Sequence, residues 1–193
     1  MYEGGAPLLR DALALDLANT HYAVRGKAAE GLRSAADLDA WLHALMPELA
    51  AGGGVGDPGQ RDLERFLALR SAVRGVSATL VSGEPVSPGD AAAVNAAAQA
   101  APSCPQLELG PDGTLAAGEL TAAPVLDVAL AALAADAVGL FTGERAARLR
   151  ACQAPGCPLF FLKDHPRREW CSPACGARVR SSRAYRKRTA ASA

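Results

Sequence analysis

The apolar positions of the chain fall mainly into helical stripes. Ser34 precedes the first: Leu38, Trp41, Leu42, Leu45, Met46 and Leu49 recur at i, i+3, i+4 and i+7, a period that lines one helix face. Pro47 and then Gly52-Gly53-Gly54 end it, and 52–59 reads as a loop. A longer helix is predicted over Gln60 to Ser82, with Leu63, Phe66, Leu67, Val73, Val76 and Leu80 as its stripe. Arg70 falls inside that stripe. Its stem can cover the core edge while its guanidinium needs water or an acidic partner. Ser87-Pro88-Gly89-Asp90 starts an alanine-rich helix running to about Ala100, with an N-cap, a proline at the first position and an acid facing the dipole. The last stripe, Val125, Leu126, Ala129, Leu130, Leu133, Ala137, Leu140 and Phe141, ends at Thr142-Gly143. Two segments follow period two instead. Leu13, Leu15 and Leu17 alternate with Ala14, Asp16 and Ala18, which predicts a short strand ended by Asn19-Thr20-His21. Gln106 to Leu109 and Thr114 to Ala117 flank Gly110-Pro111-Asp112-Gly113, which predicts a hairpin. The expected class is α+β: a mostly helical N-terminal domain over 1–143 with a short strand and a hairpin, then a small module over 144–193.

That module carries the chemistry. Cys152, Cys157, Cys171 and Cys175 read Cys-x4-Cys-x13-Cys-x3-Cys. Two close pairs separated by a loop suit one tetrahedral Zn²⁺, and the few apolar residues around them leave the metal to supply folding energy. Disulfides are the alternative, but Cys104 makes the count odd and the start Met1-Tyr2-Glu3-Gly4-Gly5 has no signal pattern. Four thiolates close the coordination shell, which favours a structural over a catalytic role. His165 lies between the pairs and reads as a loop residue. Arg148 to Ala151 is expected to be a short strand and Leu159 to Leu162 a second. Lys163 to Arg168 is expected to turn back into Glu169-Trp170-Cys171, and Ser172-Pro173 to open a helix reaching about Arg188. The order is treble-clef-like.

Composition and charge refine this picture. Half the residues are hydrophobic but only 5% are aromatic, so the core should be closely packed Leu and Ala. The apolar stretch from Pro124 to Phe141 is interrupted by Asp127 and Asp136, so no membrane span and a soluble cytoplasmic protein are expected. The formal net charge of zero is a balance of unlike halves. Residues 144–193 carry twelve Lys/Arg against three Asp/Glu, or +9, and 1–143 carry eight against seventeen, or −9. A basic module beside an acidic body points to a polyanion such as nucleic acid, with a solvated tail as the plain alternative. The candidate contacts are Arg167 and Arg168 at the turn and Arg178, Arg180, Arg183, Arg186, Lys187 and Arg188 on the last helix. Ala177, Ser181, Ala184 and Tyr185 are expected to pack inward. Arginine forks suit phosphates and guanine edges alike.

Trp170-Cys171-Ser172-Pro173-Ala174-Cys175-Gly176-Ala177-Arg178 resembles the motif of the CGNR zinc finger, and Cys152 to Arg188 resembles that finger as a whole. Leu15-Asp16-Leu17-Ala18-Asn19-Thr20, with Leu69-Arg70 and Val73-Arg74, is similar to the ABATE domain that precedes such fingers. The resemblance implies a bacterial, stress-responsive transcription regulator. The family's Asn is Ala177 here, which leaves the metal ligands intact and removes a polar group from one candidate contact.

Two functions follow. The leading one is a DNA-binding regulator, with RNA as a competing polymer, a homodimer as the form suited to a small footprint, and the N-terminal domain as a sensor. The other is an RNA- or protein-interaction module attached to a domain that binds a small-molecule effector. Asp16, Asn19, His21 and Arg70 are the candidate pocket residues, against ordinary capping and salt pairing. No nucleophile–base pair, phosphate loop or histidine motif is present, so no enzymatic activity is expected.

Overall fold

The computed structural model describes residues 6–45 and 56–191, with side chains through Ala184. The predicted end of the first long helix at Met46, Pro47 and Leu49 lies outside the described residues. In chain order the elements are α1 (Leu13–Ala18), β1 (His21–Val24), β2 (Lys27–Glu30), α2 (Ala35–Leu45), α3 (Gln60–Ser82), α4 (Pro88–Ala98), β3 (Cys104–Leu109), β4 (Leu115–Leu120) and α5 (Val125–Thr142). A 3₁₀ turn at Glu144–Arg148 leads to β5 (Leu149–Ala151), β6 (Phe160–Leu162) and α6 (Pro173–Ala191). The three sheets are two-stranded antiparallel ribbons, β1–β2, β3–β4 and β5–β6.

Helix α3 is the centre of the body, and α1, α2, α4 and α5 pack around it. Its core face is Leu63, Phe66, Leu69, Ala72, Val73 and Val76, so Leu69 takes a place expected for Leu67, and Leu80 remains partly exposed. Ser34 caps α2 through the Asp37 amide at 3.1 Å, while Ser87 makes no side-chain cap at α4 and Pro88 alone fixes that start. Helix α5 is long and apolar enough to cross a membrane by length and composition, with a mean hydropathy of 1.8. It is nonetheless a core helix: Ala129, Leu130, Leu133, Ala134, Ala137 and Leu140 are buried. Its two carboxylates are paired, Asp127 with Arg65 and Asp136 with Arg145 and the Ala14 amide.

The segment predicted as a strand over 13–18 is helix α1. Ala14, Leu15, Asp16, Leu17 and Ala18 are all buried, so the segment is surrounded and its alternation marks no exposed face. With burial on every side, Leu and Ala follow their helix propensity. The β3–β4 hairpin forms as expected and stands away from the core. Register pairs Leu107 with Ala117 and Leu109 with Leu115 on one face, and Leu107, Leu109 and Leu115 are 67–78% exposed. The returning strand expected at Glu169–Cys171 does not form. β6 pairs with β5 instead, Phe161 opposite Arg150, because the Cys152 amide donates to the Leu159 carbonyl at 2.8 Å and closes the turn there.

The body and the module share a core. Ala12, Leu15 and Leu140 form one buried cluster with Leu149, Phe160 and Leu162. Phe161, between Phe160 and Leu162, faces the other way among Cys152, Leu159, Cys171, Cys175 and Val179. The run Leu159-Phe160-Phe161-Leu162 thus holds a strand buried on both faces, which is what a continuous apolar run signals.

Candidate metal centre

Two short pieces of backbone bring the four cysteines together. The first is the turn between β5 and β6. Cys152 leaves β5, the Cys157 amide donates to Ala154 at 2.9 Å, and Gly156 adopts φ +69° with the Gly26 backbone 3.2 Å from where a Cβ would stand. Glycine meets both the left-handed backbone and that approach. The second piece is the start of α6. The Ser172 hydroxyl accepts from the Cys175 amide at 3.3 Å, the expected N-cap. Cys171 and Cys175 flank this cap, and their sulfurs are 3.5 Å apart.

All four sulfurs lie within 4.8 Å of one another. Cys157 is 3.8 Å from both Cys171 and Cys175. Four sulfurs at about 2.3 Å from one zinc stand about 3.8 Å apart along each tetrahedral edge, whereas a disulfide needs about 2.05 Å. The donor set and its spacing therefore fit a tetrahedral metal ion. Cys152, Cys171 and Cys175 are buried and Cys157 is half-buried. Thiols packed this closely resist shared ionisation. Hydrogen bonds from Cys157 and Cys171 hold Cys152 below the usual thiol range, while Cys157 is pushed above it by its bond to Cys152 and by burial. A divalent cation removes that conflict by stabilising every thiolate at once. Cys104 is exposed in β3, outside the group. His165 is an exposed loop residue whose Nδ1 accepts from the Arg167 amide.

The helix phase follows from the placement of Cys175 in the four-cysteine group. Cys175, Gly176 and Val179 face inward, and Ala177, Ser181 and Ala184 are exposed. This reverses the inward face expected for Ala177, Ser181 and Ala184, since burial of Cys175 against the other cysteines fixes which stripe turns to the core. The Tyr185 side chain lies outside the described residues. Gly176 is needed for a close approach, as a Cβ there would stand 2.8 Å from the Trp170 ring.

The candidate basic residues divide. Arg167, Arg180 and Arg183 are exposed. Arg168 turns inward: it pairs with Asp11 at 2.9 Å, donates to the Leu162 and Cys171 carbonyls, and stacks over Phe161 at 5.0 Å. Arg178 also turns inward, donating to Cys175 Sγ at 3.5 Å. Arg186, Lys187 and Arg188 continue α6, and their side chains lie outside the described residues.

Asp16, Asn19, His21 and Arg70 do not converge on one cavity. Asn19 faces the module, where its amide donates to the Phe160 carbonyl at 2.9 Å and accepts from the Phe160 amide at 3.0 Å. Asp11 accepts from the Leu162 amide at 2.9 Å. Two side chains of the body thus stand in for a neighbouring strand along the open edge of β6. Arg74, absent from the expected site, ties the same seam: it donates to the Ala18 and Pro158 carbonyls and lies 5.4 Å over the Phe160 ring. Arg70 clamps Glu30 on β2 and reaches Thr20. Burial works to raise Glu30, but the Arg70 bond and the Leu32 amide hold it below its ordinary value. His21 is lowered by burial and by Arg74 and Arg70.

Asp16 is 1% exposed and borders a separate cavity of about 330 Å³ with Arg10, Asp136 and Arg145. It accepts from the Leu9 amide at 2.7 Å and the Arg10 amide at 3.1 Å, which holds Arg10 at φ +55°. Burial raises its pKa from 3.8 to about 6 against those bonds. Between these values the folded chain binds more protons than the unfolded one, so this group's contribution to stability falls as pH rises from about 4 through 6. Asp16→Asn keeps an acceptor and removes the buried charge. It should flatten that slope and gain on the order of 2 kcal/mol at pH 7 relative to the wild-type chain, read from urea midpoints at pH 4 and pH 7.

A helical body joined to four cysteines placed to hold a metal ion defines a protein of the zinc-finger type. The chain belongs to the ABATE family, described as "Putative stress-induced transcription regulator", whose profile matches residues 11–144, and the CGNR zinc finger follows over 148–189. No curated protein matches the chain.

Proposed function

We propose that the chain is a transcription regulator that holds one structural Zn²⁺ through Cys152, Cys157, Cys171 and Cys175 and binds DNA through the exposed side of its finger. The observation that carries this reading is the pairing of a closed thiolate centre with outward arginines, Arg167, Arg180 and Arg183, on a module whose net charge is +9. Ligation turns the apolar side of α6 inward and leaves Arg180 and Arg183 facing solvent. Arg186, Lys187 and Arg188 add charge further along. The acidic body opposes the same phosphates and sets how tightly a free duplex is held. Paired fingers in a homodimer would supply the footprint that one module lacks. An effector of the body would suit the apolar groove of about 270 Å³ among Val76, Leu80, Val94, Val138 and Phe141.

Titration of the full chain with random duplex at several salt concentrations tests this. With about five phosphates neutralised, log K falls with log salt at a slope near −4 to −5, and replacing Arg167, Arg180 and Arg183 with Ala makes it shallower by up to about three units. Arg168→Ala should act on folding rather than on the slope. The exposed leucines of β3–β4 favour a second reading, docking to another protein. That reading takes over if the chain ignores both DNA and RNA duplexes at low salt.

A further inference from the structure

We infer that Arg178 is a positioning and charge-balancing residue of the metal centre, not a nucleic-acid contact. The inference rests on the zinc assignment above. Arg178 lies three residues after Cys175, so its side chain returns along the same face of α6, and its Nη2 donates to Cys175 Sγ at 3.5 Å. Its Nε is buried and has no hydrogen-bond partner among the described residues. A buried donor left unpaired is costly, and no carboxylate among the described residues pairs with this guanidinium. Arg168 makes the contrast: it also lies beside the module's core, yet Asp11 and Asp164 balance it.

Ligation supplies the missing counter-charge. Four thiolates around one divalent ion leave two negative charges in a mostly buried site, beside an apolar cavity of about 460 Å³ bordered by Leu9, Tyr22, Leu159 and Arg178. Burying such charge without compensation is costly. The Arg178 guanidinium stands where it offsets one of them, and its N–H groups hold the sulfur in place. The motif then divides by role: Cys175 ligates, Gly176 makes room for Trp170, Ala177 faces solvent and Arg178 balances the centre.

The test compares the full-length wild-type chain with Arg178→Ala, Arg178→Gln and Arg178→Lys. Competition with a chromophoric zinc chelator should show affinity falling about 10–100-fold in Arg178→Ala, the usual range for an outer partner of a metal ligand. Arg178→Gln, which keeps N–H donors but no charge, should lose nearly as much, and Arg178→Lys should recover part of it. Thiol alkylation should speed up in the same order. In the cobalt-substituted chains the thiolate-to-metal charge-transfer band should shift on loss of the guanidinium, which a purely packing role would not cause. Random-duplex binding at saturating zinc should keep the wild-type salt slope. The inference is overturned if Arg178→Gln and Arg178→Lys hold zinc as the wild type does, or if Arg178→Ala loses about one unit of slope with its zinc affinity intact. A wild-type chain that binds no zinc overturns the metal assignment itself and this inference with it.

Discussion

Cys171→Ser should lose the metal, unfold the finger and weaken the body in one step. In the proposed zinc site Cys171 supplies one of four thiolates, and apparent zinc affinities of such sites amount to about 10–16 kcal/mol of folding free energy at neutral pH. The finger has little else to hold it, since its own core is Ala154, Leu159, Phe161 and Val179 around the cysteines. The loss spreads because β6 has two faces. Leu149, Phe160 and Leu162 complete a cluster with Ala12, Leu15 and Leu140. At about 1.5–3 kcal/mol for each large side chain returned to water, their release should destabilise the body on the order of 5 kcal/mol. Elemental analysis should give about one zinc per wild-type chain and none in the variant. A chelator should lower the urea midpoint of the body as well as expose the finger to protease. Full zinc retention in Cys171→Ser would falsify the ligand set. An unchanged body midpoint after chelation would show that the shared cluster contributes nothing.

Asn19→Ala should separate the two halves without touching the metal. It leaves the Phe160 amide and carbonyl, both paired with the Asn19 side chain, without partners in a buried seam. Each orphaned group costs about 1–3 kcal/mol, so a loss of roughly 2–6 kcal/mol is expected in chemical denaturation. Asn19→Asp should cost more, because a carboxylate facing the Phe160 carbonyl removes the donor and adds buried charge. Zinc stoichiometry should stay at the wild-type value in both. Loss of zinc in Asn19→Ala would mean that the seam, rather than the cysteines, organises the finger.

Much of this arrangement is legible in the residues alone, wherever a signal has a single physical cause. Helix α3 spans Gln60–Ser82, as its apolar period predicts, and the four cysteines meet because paired spacing leaves few other geometries. The failures have two origins: a local pattern decided by a distant neighbour, and a turn whose residue type gives a weak cue. Alternation at 13–18 would mark a strand if one face met water, and neither face does. The β1–β2 hairpin escapes notice because its turn, Arg25-Gly26 with φ of +53° and +82°, needs two left-handed residues, and Arg is a weak cue for the first of them. The phase of α6 cannot be read from its alanines, because the packing of Cys175 into the four-cysteine group outranks so weak an apolar stripe. Asn19 and Arg74 carry no sequence signal of their task, since each acts on backbone far along the chain, at Phe160 and Pro158.

The seam also decides what can be exchanged between proteins of this kind. A finger moved to another carrier would bring β6 with one face bare and one edge open. Asp11, Asn19 and Arg74 sit in the body, yet they complete the finger, so a graft cut at residue 144 severs contacts that both pieces need. A working chimera has to transplant α1 and the middle of α3 along with the cysteines. In engineering terms the finger is not a detachable cassette but one half of a joint.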